Sequence, residues 1–196
     1  MGLLEDFRSL VIPALTEYSL AEAEVSCGIP EAEKAVLRRA RTAAIELHQF
    51  AERVFHTAPE WLPNVRDENK FREWLGREIA PERCNDFALL GDVADGFKHF
   101  ELRRQTAQIN GSESVVLRSI PYGSGAYGAG KYGGNDQIVV ELNDGTLRPA
   151  STIMLSVCNV WLKLFGQASI RSLSDLQWKR PEDCSSGLSV VRVSHS

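Results

Sequence analysis

The stretch Cys84–Arg104, CNDFALLGDVADGFKHFELRR, governs how the rest of the chain is read. At 100° per residue, Phe87, Leu89, Leu90, Val93, Phe97 and Phe100 fall on one broad face. Asn85, Asp92, Asp95, His99 and Arg103 fall on the other, so the period predicts one amphipathic helix over the whole stretch. Asp95 and His99 are i,i+4 neighbours, which lets the carboxylate contact the imidazole, and Arg103 continues the stripe one turn on. A carboxylate, a histidine and an arginine in register can orient a general base or bind a phosphate. A solvated helix face carries the same kind of stripe. Gly91 and Gly96 each cost about 1 kcal/mol against alanine inside a helix. Glycine at such a position points to the close approach of another backbone or a ligand.

Asp92-Val-Ala-Asp95-Gly-Phe-Lys98-His99 resembles an Asp-x-Ala-Asn-x-x-Lys-His motif of bacterial helical proteins, with Asp95 where that motif has asparagine. Those proteins are similar to the HEPN group of helical bundles, and the resemblance covers about residues 30–105. It implies a helical bundle; no cofactor is expected. Because the group includes many endoribonucleases, it also implies RNA as a partner or substrate. Catalytic members carry an arginine, then a polar residue, then a histidine after four to six intervening residues. No arginine stands at that distance before His99. Arg41-Thr42 with His48 does fit, with six residues between Arg41 and His48, on one helix face.

A chain of 196 residues is long enough for one domain with a sizeable core, and 43% hydrophobic with 24% charged residues is an ordinary globular composition. A net charge of −4 argues against a mainly electrostatic nucleic-acid binder and leaves room only for a local basic patch. Cys27, Cys84, Cys158 and Cys184 are scattered with no CxxC spacing, which points to reduced thiols. The opening MGLLEDFRSLVIPAL is acidic early and lacks the basic start of a secretory signal. No apolar run is long enough to span a bilayer. These features together predict a cytoplasmic protein with no membrane partner.

Before the central stretch, residues 2–24 read as a helix that Pro13 should kink or restart. A second helix should begin near Pro30 and run to about His56, with Lys34, Arg38, Arg39 and Arg41 as a basic patch. Pro59 and Pro63 mark a loop. Asp67 is a good N-cap for a short helix with Phe71, Trp74, Leu75 and Ile79 on one face. Helices joined by short loops are the ingredients of a bundle.

Beyond Thr106 the texture changes to that of strands, at Val115–Ile120 and Gln137–Leu142. Asn143-Asp-Gly145 signals a hairpin turn, with Thr146–Arg148 returning as a short strand. Between the first two strands lies a repeat beginning Tyr-Gly at Tyr122, Tyr127 and Tyr132. Its Gly125-x4-Gly130-Lys131 mimics a P-loop, but Tyr132 follows where a Ser or Thr is required, and no helix comes next. Tyr122, Tyr127, Lys131 and Tyr132 are instead candidate contacts on a glycine-rich loop, able to stack on bases or adapt to a protein. Residues 150–165 are apolar nearly all round apart from Ser156, Asn159 and Lys163, which predicts a helix buried in the bundle or at a dimer interface. Ser151 or Thr152 should cap it, and Gly166 should end it. Residues 167–196 lose periodicity, with Ser189–Val193 a candidate edge strand.

The fold expected is therefore α+β, a mostly helical, HEPN-like bundle with a small antiparallel β-meander inserted before the last long helix. The domain is expected to cover 1–196, as bundle 1–106, meander 107–149, buried helix 150–166 and tail 167–196. Candidate catalytic residues are Asp92, Asp95, His99 and Arg103, with Arg41 and His48 as a second set and Lys98 beside the first as a binding residue. A metal site built from His48, His56, Asp92 and His99 would need two helices to converge, and no HExxH or paired Glu-x-x-His spacing is present, so no metal ligand is assigned. No GxSxG elbow marks a serine hydrolase. The function expected is a binding protein for RNA or a protein partner, with a homodimer as one assembly. A metal-independent endoribonuclease and an assembly protein using the Tyr-Gly loop are the alternatives.

Overall fold

A computed structural model describes residues 2–27, 29, 31–79, 85–99, 102, 106–119 and 136–176. The architecture is α+β, mostly helical with one small antiparallel sheet. The chain opens with α1 (Leu3–Asp6), a π turn (Phe7–Val11) and α2 (Ile12–Ser26), which run on without leaving helical backbone. Pro13 falls in the first turn of α2, directly after the π turn, where its missing N–H interrupts the ladder least. The proline therefore neither breaks nor restarts the helix.

α3 (Ala32–Thr57) is the long helix expected, and it buries Val36, Ala40, Ala43, Ala44, Leu47, Phe50 and Val54 along one side. α4 (Glu68–Trp74) starts where Asp67 caps it, the carboxylate accepting the Lys70 N–H at 2.9 Å. A second π turn (Leu75–Ile79) extends it. α5 (Asp86–Gly96) is the core of the central stretch but only half its predicted length. It ends at Gly96 because the chain packs back on that point. A Cβ there would meet the Gly111 carbonyl oxygen at 3.3 Å and Ile109 Cδ1 at 3.2 Å. Lys98 and His99 close the end by donating their backbone N–H groups to the Asp95 carbonyl.

The sheet has the order β1 (Val115–Ser119), β2 (Asp136–Glu141), β3 (Leu147–Pro149), all antiparallel. Asn143-Asp-Gly145 forms the predicted turn, with Gly145 at φ 81° and the Asp144 carboxylate accepting the Thr146 N–H at 2.8 Å. That hydrogen bond holds the Asp144 carboxyl below its usual range. α6 (Ala150–Leu164) follows at once, ending before Gly166 in the left-handed region. Neither Ser151 nor Thr152 caps it; Pro149 is the N-cap residue and no side chain bonds there.

α6 is largely buried against this same chain, with Leu155 and Leu164 only partly covered. Trp161 is wholly inaccessible, with Phe50 edge-on at 4.9 Å between ring centroids and Phe71, Phe87 and Phe165 beside it. The predicted polar strip is exposed only at Lys163. Ser156 is buried, and Asn159 accepts from the Ile170 N–H at 2.8 Å and donates to its carbonyl at 2.9 Å, pinning the segment that follows. A second tie joins helix to sheet: Arg148 on β3 donates to buried Asp86 in the first turn of α5 at 2.6 Å.

Candidate functional site

α3, α4 and α5 enclose a cleft of about 750 Å³, and the packing of α3 on α5 sets its floor. Gly91 lets the two helices meet there. A Cβ on Gly91 would lie 3.0 Å from His48 Cε1, 3.4 Å from Nδ1 and 3.8 Å from Nε2, so the imidazole sits directly over the α5 backbone. Gly96 makes a close approach of the other kind, to backbone. The two glycines that the sequence singles out in the central stretch are both contact points.

Asp92 and Asp95 line the same cleft one turn apart. Asp92 is buried, and its Oδ2 accepts the Gln108 N–H at 2.6 Å. The charge-assisted bond to a passing turn is what makes this burial tolerable. Asp95 is half-buried, with the Lys98 ammonium at 3.8 Å. Of the predicted stripe, Asp92 is thus buried and Asp95 half-buried in the cleft wall, whereas Asn85 and His99 are exposed.

α4 supplies the opposite wall with Asn69, Arg72 and Glu73, and the π turn that extends it supplies Arg77. Such turns re-aim side chains, and they recur at functional sites. Arg72 forms an ion pair with Glu68 and donates to Asn69 Oδ1 at 3.4 Å, while its Nε is buried with no acceptor. Burial lowers the guanidinium's affinity for its proton, an effect that Glu68, Glu52 and Asp95 oppose. Arg77 is well exposed, 3.8 Å from Glu73. Two arginines face three carboxylates, Glu73, Asp92 and Asp95, so the lining is close to charge balance, with one negative charge in excess.

The candidate residues of the sequence separate into groups. The cleft gathers His48, Asp92 and Asp95. Arg41 is exposed on α3 and does not line it, so the Arg41–His48 spacing yields a histidine at the cleft and an arginine away from it. Lys98 and His99 are exposed just past the end of α5, because the helix stops before the register that would carry His99 along the stripe. Arg103, Tyr122, Tyr127, Lys131 and Tyr132 lie outside the described residues, as do the candidate strand 189–193 and the tail beyond Leu176. The arginines of the cleft, Arg72 and Arg77, were not anticipated. A signal for Arg72 exists in Asn69, Arg72 and Glu73, which recur at helical spacing beside the apolar face of α4.

No helix among the described residues is long and apolar enough to cross a membrane. In comparisons with known proteins, no family model, no curated protein and no solved structure matches the chain.

Proposed function

We propose that the protein is a HEPN-like cytoplasmic binding protein whose cleft between α3, α4 and α5 takes an unpaired nucleotide of a single-stranded RNA. The observation that carries this reading is the convergence of His48, Arg72, Arg77, Asp92 and Asp95, from three elements, on one cavity. Its volume of about 750 Å³ falls within the range of small-ligand sites, roughly 300–1,000 Å³. The near-balanced charge of the lining decides between ligand types. A track for a polyanion would be strongly basic. This cleft offers carboxylates and Asn69 to the donors of a base edge, His48 as a ring surface, and Arg77 to a single phosphate.

A second reading is favoured by one feature of the same cleft. Histidine and arginine line one cleft of a single subunit, as a metal-independent endoribonuclease could use them, with His48 as acid or base and Arg77 stabilising the phosphate. One experiment separates the two. A labelled single-stranded RNA pool is titrated with wild type, His48→Ala and Arg77→Ala, following anisotropy for binding and gel mobility for cleavage. Binding without cleavage, weakened about tenfold or more in both variants, supports the binding reading. Cleavage abolished by His48→Ala makes the protein a nuclease. RNA bound equally by all three would remove this cleft as the site.

A further inference from the structure

A second cluster lies at the C-terminal end of α3, beginning one turn beyond His48. Glu52 and His56 are i,i+4 neighbours on its last two turns, so they project from one face. The loop after Thr57 then returns the chain so that Glu68 opens α4 beside them. One ligand atom from each of Glu52, His56 and Glu68 lies within 4.8 Å of the other two. Two carboxylates and an imidazole thus converge from two helices. The donor set also selects among ions. An imidazole with two carboxylate oxygens suits zinc and its neighbours, whereas calcium and magnesium prefer all-oxygen shells.

We propose that Glu52, His56 and Glu68 form a divalent transition-metal site of the zinc class, with water completing a four-coordinate shell. Glu52 and His56 are exposed, so the ion has a path from solvent and the ligands can close by rotamer changes alone. The competitor is Arg72, which is ion-paired to Glu68. That pairing runs through Glu68 Oε1, and Arg72 also feels the Asp95 carboxylate, which can hold it when Glu68 turns to the metal. The assignment does not rest on which ligand the α3–α4–α5 cleft takes, although Arg72 borders both places.

The test is zinc chloride titrated into metal-stripped protein in competition with a chromophoric chelator, with circular dichroism confirming that each variant is folded. Wild type should take up about one equivalent. Glu52→Gln, His56→Ala and Glu68→Gln should each weaken binding about tenfold or more, a loss at least as large as that from removing an outer-shell partner. His48→Ala should bind zinc as wild type does. No competitive zinc uptake by folded wild type, or unchanged uptake in the Glu52→Gln/His56→Ala double variant, would overturn the assignment. Loss of uptake in His48→Ala would overturn it too, by moving the metal to the cleft.

Discussion

Trp161 and His48 both stand near α5, and their surroundings are opposite in kind. Trp161 is enclosed by aromatic rings, and its indole N–H is buried without a polar partner. His48 rests on Gly91 in a cleft lined by arginines and carboxylates. On the α6 side, burial of apolar area outweighs one unmade hydrogen bond, worth about 1–3 kcal/mol. On the cleft side, the helix keeps a glycine that costs about 1 kcal/mol and buries an aspartate that must be paired. One region is organised for stability. The other keeps polar groups converging on open space, which stability alone would not favour.

The largest effect should come from breaking the first region. Trp161→Ala removes the hub of the aromatic cluster and should cost about 3–5 kcal/mol, read from chemical denaturation. A loss below about 1 kcal/mol would mean that α6 is not the centre of the core. Next comes Asp86→Ala, which strands Arg148 at the junction of α5 and β3. Its expected cost is about 2–3 kcal/mol, below the full value for a buried pair because Arg148 keeps 28% of its side chain exposed.

The two glycines of α5 sharpen the comparison further. Gly96→Ala presses a methyl group against the Gly111 backbone and should destabilise by about 1 kcal/mol or more, since backbone cannot yield as a side chain does. Gly91→Ala presses instead on a half-buried imidazole that can shift a few tenths of an ångström. Its helix-propensity gain should hold the net change within about 1 kcal/mol. The His48 imidazole resonances should nevertheless move in NMR spectra, and RNA affinity should fall. Equal stability losses at both positions would mean that His48 is as rigidly held as the core.

The smallest effect concerns the thiols. Burial pushes the Cys158 thiol up to about 12, so it stays protonated and hidden while exposed Cys27 can react. Alkylation of native protein mapped by mass spectrometry should modify Cys27 and spare Cys158. The linkage has a definite sign. Above about pH 9 the unfolded chain's thiol ionises and the buried one does not, so stability falls as pH rises towards 12. Cys158→Ala should remove that part of the alkaline loss.

Much of the fold was legible in local pattern. Asp67 caps α4, Asn143-Asp-Gly145 turns the hairpin, Gly166 ends α6, and the stretches rich in β-branched residues form strands, because each is determined by residues within a few positions of itself. The site was legible only in fragments. His48, Asp92 and Asp95 were candidates, but the periodicity that groups Asp92 with His99 and Arg103 assumes a helix continuing past Gly96. Ile109 and Gly111, folding back onto that glycine, end it first.

The amino-acid sequence by itself determined the order of helical and strand segments, since the 3.6 period of a helix and the β-branched content of a strand are local properties. Only the tertiary structure decided which polar faces would be buried and with whom. Asp92 finds the Gln108 N–H sixteen residues on, and Arg148 reaches Asp86 from sixty-two residues away. His48 meets Gly91 across a helix interface. A buried polar group is stable only where a partner satisfies it. Those partners are set by chain packing, which has no period to read.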